Sequence, residues 1–200
     1  MKFTDANKPR VLTVIDEYVF YLQMGALRRR YDLDKLINFC YTRGAQVSKP
    51  LFFAAKLPSN GQTRGNDKYL RIAEQLGFHV ISKEVSNYHS LTCPCCHQDL
   101  GDCPYCGNCL EKRKCDLDAD IGFEVGRYAY SDQIDYLLLF AADGDFVRVV
   151  ETVQREKNVE VEVVALSPGM CPRGCKTSIK LFNSADRQTR LETIVDQIAR

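Results

Sequence analysis

Tyr136-Leu137-Leu138-Leu139-Phe140-Ala141-Ala142-Asp143-Gly144-Asp145-Phe146 is the stretch that decides how this chain folds. A short apolar run bounded by a turn-forming Asp-Gly-Asp predicts a strand covered on both faces. Residues 146–156 then place apolar side chains at helical spacing, so the segment reads as strand, acidic turn, helix. Outward from it the same grammar repeats. Val11-Leu-Thr-Val-Ile15 is a β-branched run that ends at Asp16, and residues 18–30 carry Val19, Leu22 and Ala26 at helical spacing before Arg28-Arg29-Arg30. Asp32 can N-cap a helix over 33–43 that stops at Gly44. Strands are expected at 51–55 and 78–81, with a helix over 67–76 closed by Gly77 between them and a loop at 59–65. A cysteine-rich segment, 86–115, interrupts. After it come a helix over 118–130, the 136–140 strand, the 146–156 helix, a last strand at 159–166 and a helical region from about 176 to the end. Strands alternating with helices build βαβ units and a parallel sheet. In such sheets ligands gather beyond the carboxyl ends of the strands.

The 200 residues suffice for one full domain with a modest insertion, and 45% of them are apolar, enough for a real core. Lys plus Arg number 27 against 26 Asp plus Glu, so the net charge of +1 supplies no global attraction to polyanions or membranes. The first ten residues hold no apolar run of signal-peptide length, and nothing approaches the roughly 20 apolar residues of a membrane span. The expectation is a soluble cytoplasmic protein of one domain, 1–200, carrying an inserted module at 86–115.

Functional side chains should therefore stand just after strands. Asp16 follows the first strand, Asp143 and Asp145 follow the 136–140 strand, and Asp118 opens a helix with Glu124 six residues further on. Each alone reads equally as a helix cap or turn residue. Gathered at one sheet edge, they would repel one another unless a cation lay between them. Hard oxygen ligands suit Mg²⁺ or Mn²⁺, and such an ion activates water and neutralises phosphate charge, as in many nucleases. The chain has no phosphate-binding G-x-x-x-x-G-K-[ST] loop, no G-x-G-x-x-G and no G-x-S-x-G elbow.

These residues resemble the NYN family, within the PIN-like nuclease group that includes LabA-type proteins. Val14-Ile15-Asp16 is similar to the family's opening strand and first acid, and Asp118-Ala-Asp-Ile-Gly-Phe-Glu124 to its helix with acids six apart. Ala142-Asp143-Gly144-Asp145-Phe146 resembles the motif written G-D-S-D-F, and Ser178, Leu181, Ala185 and Asp186 match the late S-x2-L-x3-A-D pattern. The resemblance covers nearly the whole chain apart from the cysteine segment. It implies a PIN-like three-layer α/β fold, with a central parallel sheet flanked by helices. It also implies a metal-dependent ribonuclease acting on RNA through Asp16, Asp118, Asp143 and Asp145. The family's I-D-G-x-N reads Ile15-Asp16-Glu17-Tyr18-Val19 here, and the Ser-Gly before its acid pair is Ala141-Ala142. Those departures leave open a non-catalytic module that contacts RNA or protein.

Seven of the ten cysteines fall between Cys93 and Cys115. Without an export signal, thiolate–metal ligation fits better than disulfides. Cys93 with Cys96 and Cys103 with Cys106 form two C-P-x-C turns, the donor set of a tetrahedral Zn²⁺ site. Cys109 and Cys115, with Cys95 and His97 nearby and Cys171 and Cys175 further along, leave room for a second zinc. Cys103-x2-Cys106-x2-Cys109 also has the spacing of an iron–sulfur protein. Lys112, Arg113 and Lys114 read either as phosphate contacts or as a solvated basic stretch. Arg28-Arg29-Arg30 reads as an RNA-facing patch or as cations favoured by a helix C-terminus. His79 is expected to pack within a strand, and Cys40 to be a core thiol on an apolar helical face.

Overall fold

The computed structural model describes residues 8–57, 66–89, 111–170 and 176–200, with 86–89 and 111–114 described by backbone alone. The elements run β1 (Arg10–Asp16), α1 (Glu17–Ala26), α2 (Leu33–Tyr41), β2 (Ala45–Gln46), β3 (Leu51–Lys56), α3 (Asp67–Leu76) and β4 (His79–Glu84). They continue with β5 (Ser86–His89), β6 (Glu111–Lys114), α4 (Asp118–Tyr130), β7 (Tyr136–Phe140), a 3-10 turn (Gly144–Phe146), α5 (Val147–Lys157) and β8 (Glu160–Ala165). The last three are α6 (Ile179–Ser184), β9 (Arg187–Arg190) and α7 (Leu191–Ile198).

The main sheet has the strand order β4-β3-β1-β7-β8-β9, with the short β2 also against β1, and every pairing in it is parallel. β1 and β7 lie at its centre, and β7 is buried along its whole length because helices cover both faces. Alternate residues feed two cores. Ile15, Phe52, Leu138 and Phe140 pack against α1, α2, α3 and α7 on one face. Val14, Phe53, Leu137 and Leu139 pack against α4, α5 and α6 on the other. The expected three layers are present: helices, parallel sheet, helices.

From β1 the chain first builds outward through β3 and β4, then returns to β7 and builds the other way through β8 and β9. The reversal lies between β1 and β7. The crossovers of these two strands depart to opposite faces, and the carboxyl edge at such a switch point is where ligands bind in open α/β sheets.

Several expectations need correction. The first helix ends at Ala26 rather than Arg30, because Arg28 turns left-handed at φ 55°. The region from 176 onward is not all helix: β9 interrupts it and extends the sheet beside β8. The ends of the cysteine-rich segment, β5 and β6, pair with each other antiparallel in a two-stranded sheet of their own. His79 is exposed on the edge strand β4, not packed. Cys40 is a core thiol as expected, and burial pushes it up to about 12. No helix among the described residues is long and apolar enough to cross a membrane.

Candidate metal centre

Asp16 is the last residue of β1 and caps α1, its Oδ1 accepting from the Val19 N–H at 3.3 Å. Burial pushes its carboxyl up to about 6; the Val19 and Tyr18 N–H groups pull it down, while the charges of Asp118 and Glu17 push it up. On the neighbouring strand, Asp143 stands three residues beyond Phe140 and caps the 3-10 turn, accepting from the Asp145 N–H at 3.1 Å. That turn swings the Asp145 carboxylate back beside Asp143, and the buried Phe146 roots it in the core. Asp118 opens α4, which Ile121 and Val125 anchor beneath the sheet.

Three elements thus converge. One carboxylate oxygen each from Asp118, Asp143 and Asp145 lies within 4.8 Å of the others, Asp118 half-buried and the other two exposed. Asp16 is not in that group, although its interaction with Asp118 places it at the same edge. Like charges this close cost free energy that a divalent cation removes. The donors are hard oxygens of the kind that Mg²⁺ and Mn²⁺ select, so the residues present fit such an ion.

The acidic turn is held by its neighbour. Ser178 donates its N–H to Ala142 O at 2.8 Å, while its Oγ accepts from the Leu181 N–H at 3.4 Å and caps α6. A Cβ on Gly144 would lie 3.0 Å from Ser178 Oγ, so close approach, rather than backbone conformation, is what favours glycine there. The late S-x2-L-x3-A-D pattern marks Ser178, but not this role, since the anchoring bond is main-chain to main-chain.

Asp186 lies elsewhere. It accepts from the Val161 N–H at 2.9 Å and the Gln154 amide at 2.8 Å, at the amino end of β8. Glu124 also stands apart. At about 100° per residue it is some 120° round α4 from Asp118, and it pairs with Arg127 at 2.5 Å. Lys83 brings a cation to the edge, bonding Asp116 O at 3.2 Å and Asp120 at 3.4 Å.

Of the expected zinc ligands, Cys93, Cys96, Cys103, Cys106, Cys109, Cys171 and Cys175, like Cys95 and His97, lie outside the described residues. Cys115 is a half-buried free thiol donating to Lys83 O at 3.4 Å. Burial pushes it up, Lys83 pulls it down, and Asp116, Asp120 and Asp16 push it up further. The Lys112, Arg113 and Lys114 side chains also lie outside.

The profile of the NYN domain matches residues 10–192, a span that takes in all four principal acids. The chain belongs to the NYN domain family. NYN membership suggests a PIN-like nuclease, and the Asp118–Asp143–Asp145 group could bind its metal. Among solved structures, a protein of unknown function from Vibrio parahaemolyticus (VPA0982) is similar over 100% of both chains, at a TM-score of 0.61 and 22% identity. At that identity the likeness shows the fold alone. No curated protein matches.

Proposed function

We propose that this NYN domain is a ribonuclease that hydrolyses RNA phosphodiester bonds with Mg²⁺ or Mn²⁺. The observation that carries it is the gathering of Asp118, Asp143 and Asp145 within 4.8 Å at the reversal point of the sheet. Asp118, Asp143 and Asp145 would hold the ion, with Asp16 at the same edge helping to hold it or to orient water. When bound, such an ion generates a nucleophile from water near neutral pH and offsets charge on the phosphate.

The Val19 and Ala141-Ala142 departures are compatible with this reading. Val19 supports Asp16 through its backbone N–H, which any residue except proline supplies. Ala141 and Ala142 are buried, and the Ala142 carbonyl is held by Ser178. The cysteine segment, 86–115, would be a zinc-bound module that borders the cleft and lends Lys112, Arg113 and Lys114 to phosphate contacts. Replacing those three by Ala should weaken RNA binding and flatten its salt dependence. Unchanged affinity would remove that part.

The deciding experiment is cleavage of single-stranded and structured RNA in Mn²⁺, comparing the native protein with Asp143→Asn. The expected result is cleavage that EDTA stops and that the variant loses by about 100-fold or more. RNA binding with no Mn²⁺-dependent cleavage would make the protein a non-catalytic module. Cleavage indifferent to Asp143→Asn would mean that the site is misplaced.

A further inference from the structure

Helix α1 starts at the metal edge and carries no charged residue after Glu17. A surface helix ordinarily turns a charged face to water. Here the outward positions are Tyr18, Tyr21 and Gly25, and the two rings are 60% and 57% exposed. Spacings of three and seven residues set all three along one side of the helix. Tyr18 lies in the first turn of the helix that Asp16 caps, so this side starts at the end of α1 nearest the acids. Gly25 continues it without relief: a Cβ there would meet nothing within 4 Å, so no packing demands a glycine. Glycine in a helix costs about 1 kcal/mol relative to alanine, and a flat floor is what the molecule gains.

The floor runs into Arg28, Arg29 and Arg30, all exposed. Arg28 and Arg29 close the helix through backbone N–H bonds to Gly25 O and Met24 O, and their exposed side chains set cations at that end of α1. Arg29 reaches Asp196 at 3.3 Å, an ion pair exposed on both sides. The order along α1 is therefore acids, two open aromatic rings, a bare glycine, then cations.

We infer that this side of α1 is the track of a single-stranded polynucleotide, with bases stacked on Tyr18 and Tyr21 and phosphates drawn to Arg28–Arg30. Aromatic faces take unpaired bases of any sequence, and basic groups track the backbone. A duplex offers no free base faces to the two rings, so the track selects single strands. Ten residues of helix span about 15 Å, room for a short run of nucleotides. The inference rests on the nuclease reading for its direction, since it makes α1 the route of the strand into the acids.

Binding is measured apart from cleavage, by fluorescence anisotropy of a labelled RNA of about 12 nucleotides, longer than the track. The full chain carries Asp143→Asn so that the RNA stays intact. Tyr18→Ala with Tyr21→Ala should weaken single-strand affinity by about 10-fold or more, while Tyr18→Phe with Tyr21→Phe leaves it near native. Gly25→Glu should also weaken it, with no loss of thermal stability. Arg28→Ala with Arg30→Ala should lower the slope of log affinity against log salt by about 1 to 2. A duplex of the same sequence should respond little to the tyrosine changes.

Unaltered affinity in the Tyr→Ala pair would overturn the inference, and so would a Phe pair as weak as the Ala pair. Sedimentation covers the rival occupant: if the Tyr→Ala pair dissociates a dimer and leaves RNA affinity alone, the face belongs to a second copy and the inference fails. Stacking intact in a protein that never cleaves RNA would sink the nuclease reading and leave this one standing.

Discussion

Asp118, Asp143 and Asp145 are poor neighbours for one another without a counter-ion. Their oxygens lie within 4.8 Å, and the Asp145 N–H donated to Asp143 offsets only part of that repulsion. Function and stability should therefore separate at this site. Asp118→Asn removes a repelling charge, so in EDTA its melting temperature should be no lower than that of the native protein. Mn²⁺ should reverse the order, because an ion that binds only the folded state stabilises it by about 2.7 kcal/mol at a hundred times its dissociation constant. Thermal denaturation with and without Mn²⁺ reads both effects; equal Mn²⁺ stabilisation of the variant would exclude Asp118 as a ligand. Gly144 answers to geometry instead. Gly144→Ala forces Ser178 Oγ to yield a few tenths of an ångström, and Mn²⁺ affinity should fall several-fold. Adding Ser178→Ala removes the obstructing hydroxyl. Titration should then show affinity regained, even though losing the α6 cap costs about 1 kcal/mol of stability. No recovery would mean that the contact does not set the turn.

Among the elements, β8 and β9 show why some of the fold was legible and some was not. β1, β3 and β7 announce themselves as apolar runs because both of their faces are covered, and Gly77 announces the end of α3 by its left-handed φ of 109°. The acids at their ends were legible by the rule that ligands gather at carboxyl edges. β9, Arg187-Gln188-Thr189-Arg190, is a short polar edge strand, and nothing in its composition separates it from the helices on either side. It is held through the buried Glu162 of β8, which accepts from Thr189 at 2.5 Å, from Tyr136, and from Arg43 at 3.1 Å and 3.2 Å. Burial pushes the Glu162 carboxyl up, but the Thr189 and Tyr136 hydroxyls and the Arg43 guanidinium outweigh it and leave it below its ordinary value. A depressed carboxylate contributes stability that is complete above its unfolded pKa of about 4.3 and is lost as pH falls through the lower folded value. The native protein should lose melting temperature on acidification through that window, and Glu162→Gln should be less stable at neutral pH with a flatter acid limb. Parallel limbs in the two proteins would place the acid sensitivity elsewhere. Ser178 stood out in the late S-x2-L-x3-A-D pattern, but its hold on the acidic turn did not, because a main-chain bond to Ala142 leaves no trace in side-chain identity.

At the scale of the whole molecule, the sheet order matters more than any single acid. Because the order in which strands are added reverses between the parallel β1 and β7, the Asp16 end of one strand and the Asp143–Asp145 turn after the other lie at one carboxyl edge. α4 delivers Asp118 to it from the second face, and α1 leaves it along the first. A misplaced crossover would scatter the acids even with every residue retained. The central claim is that this edge holds a divalent cation, and titration of Mn²⁺ into the full chain, followed by electron paramagnetic resonance, tests it most directly. Cysteine thiolates favour softer ions, so the signal reports the carboxylates. The prediction is saturable Mn²⁺ binding that both Asp118→Asn and Asp143→Asn weaken by at least about tenfold; binding that is absent, or that survives both substitutions unchanged, would contradict the account.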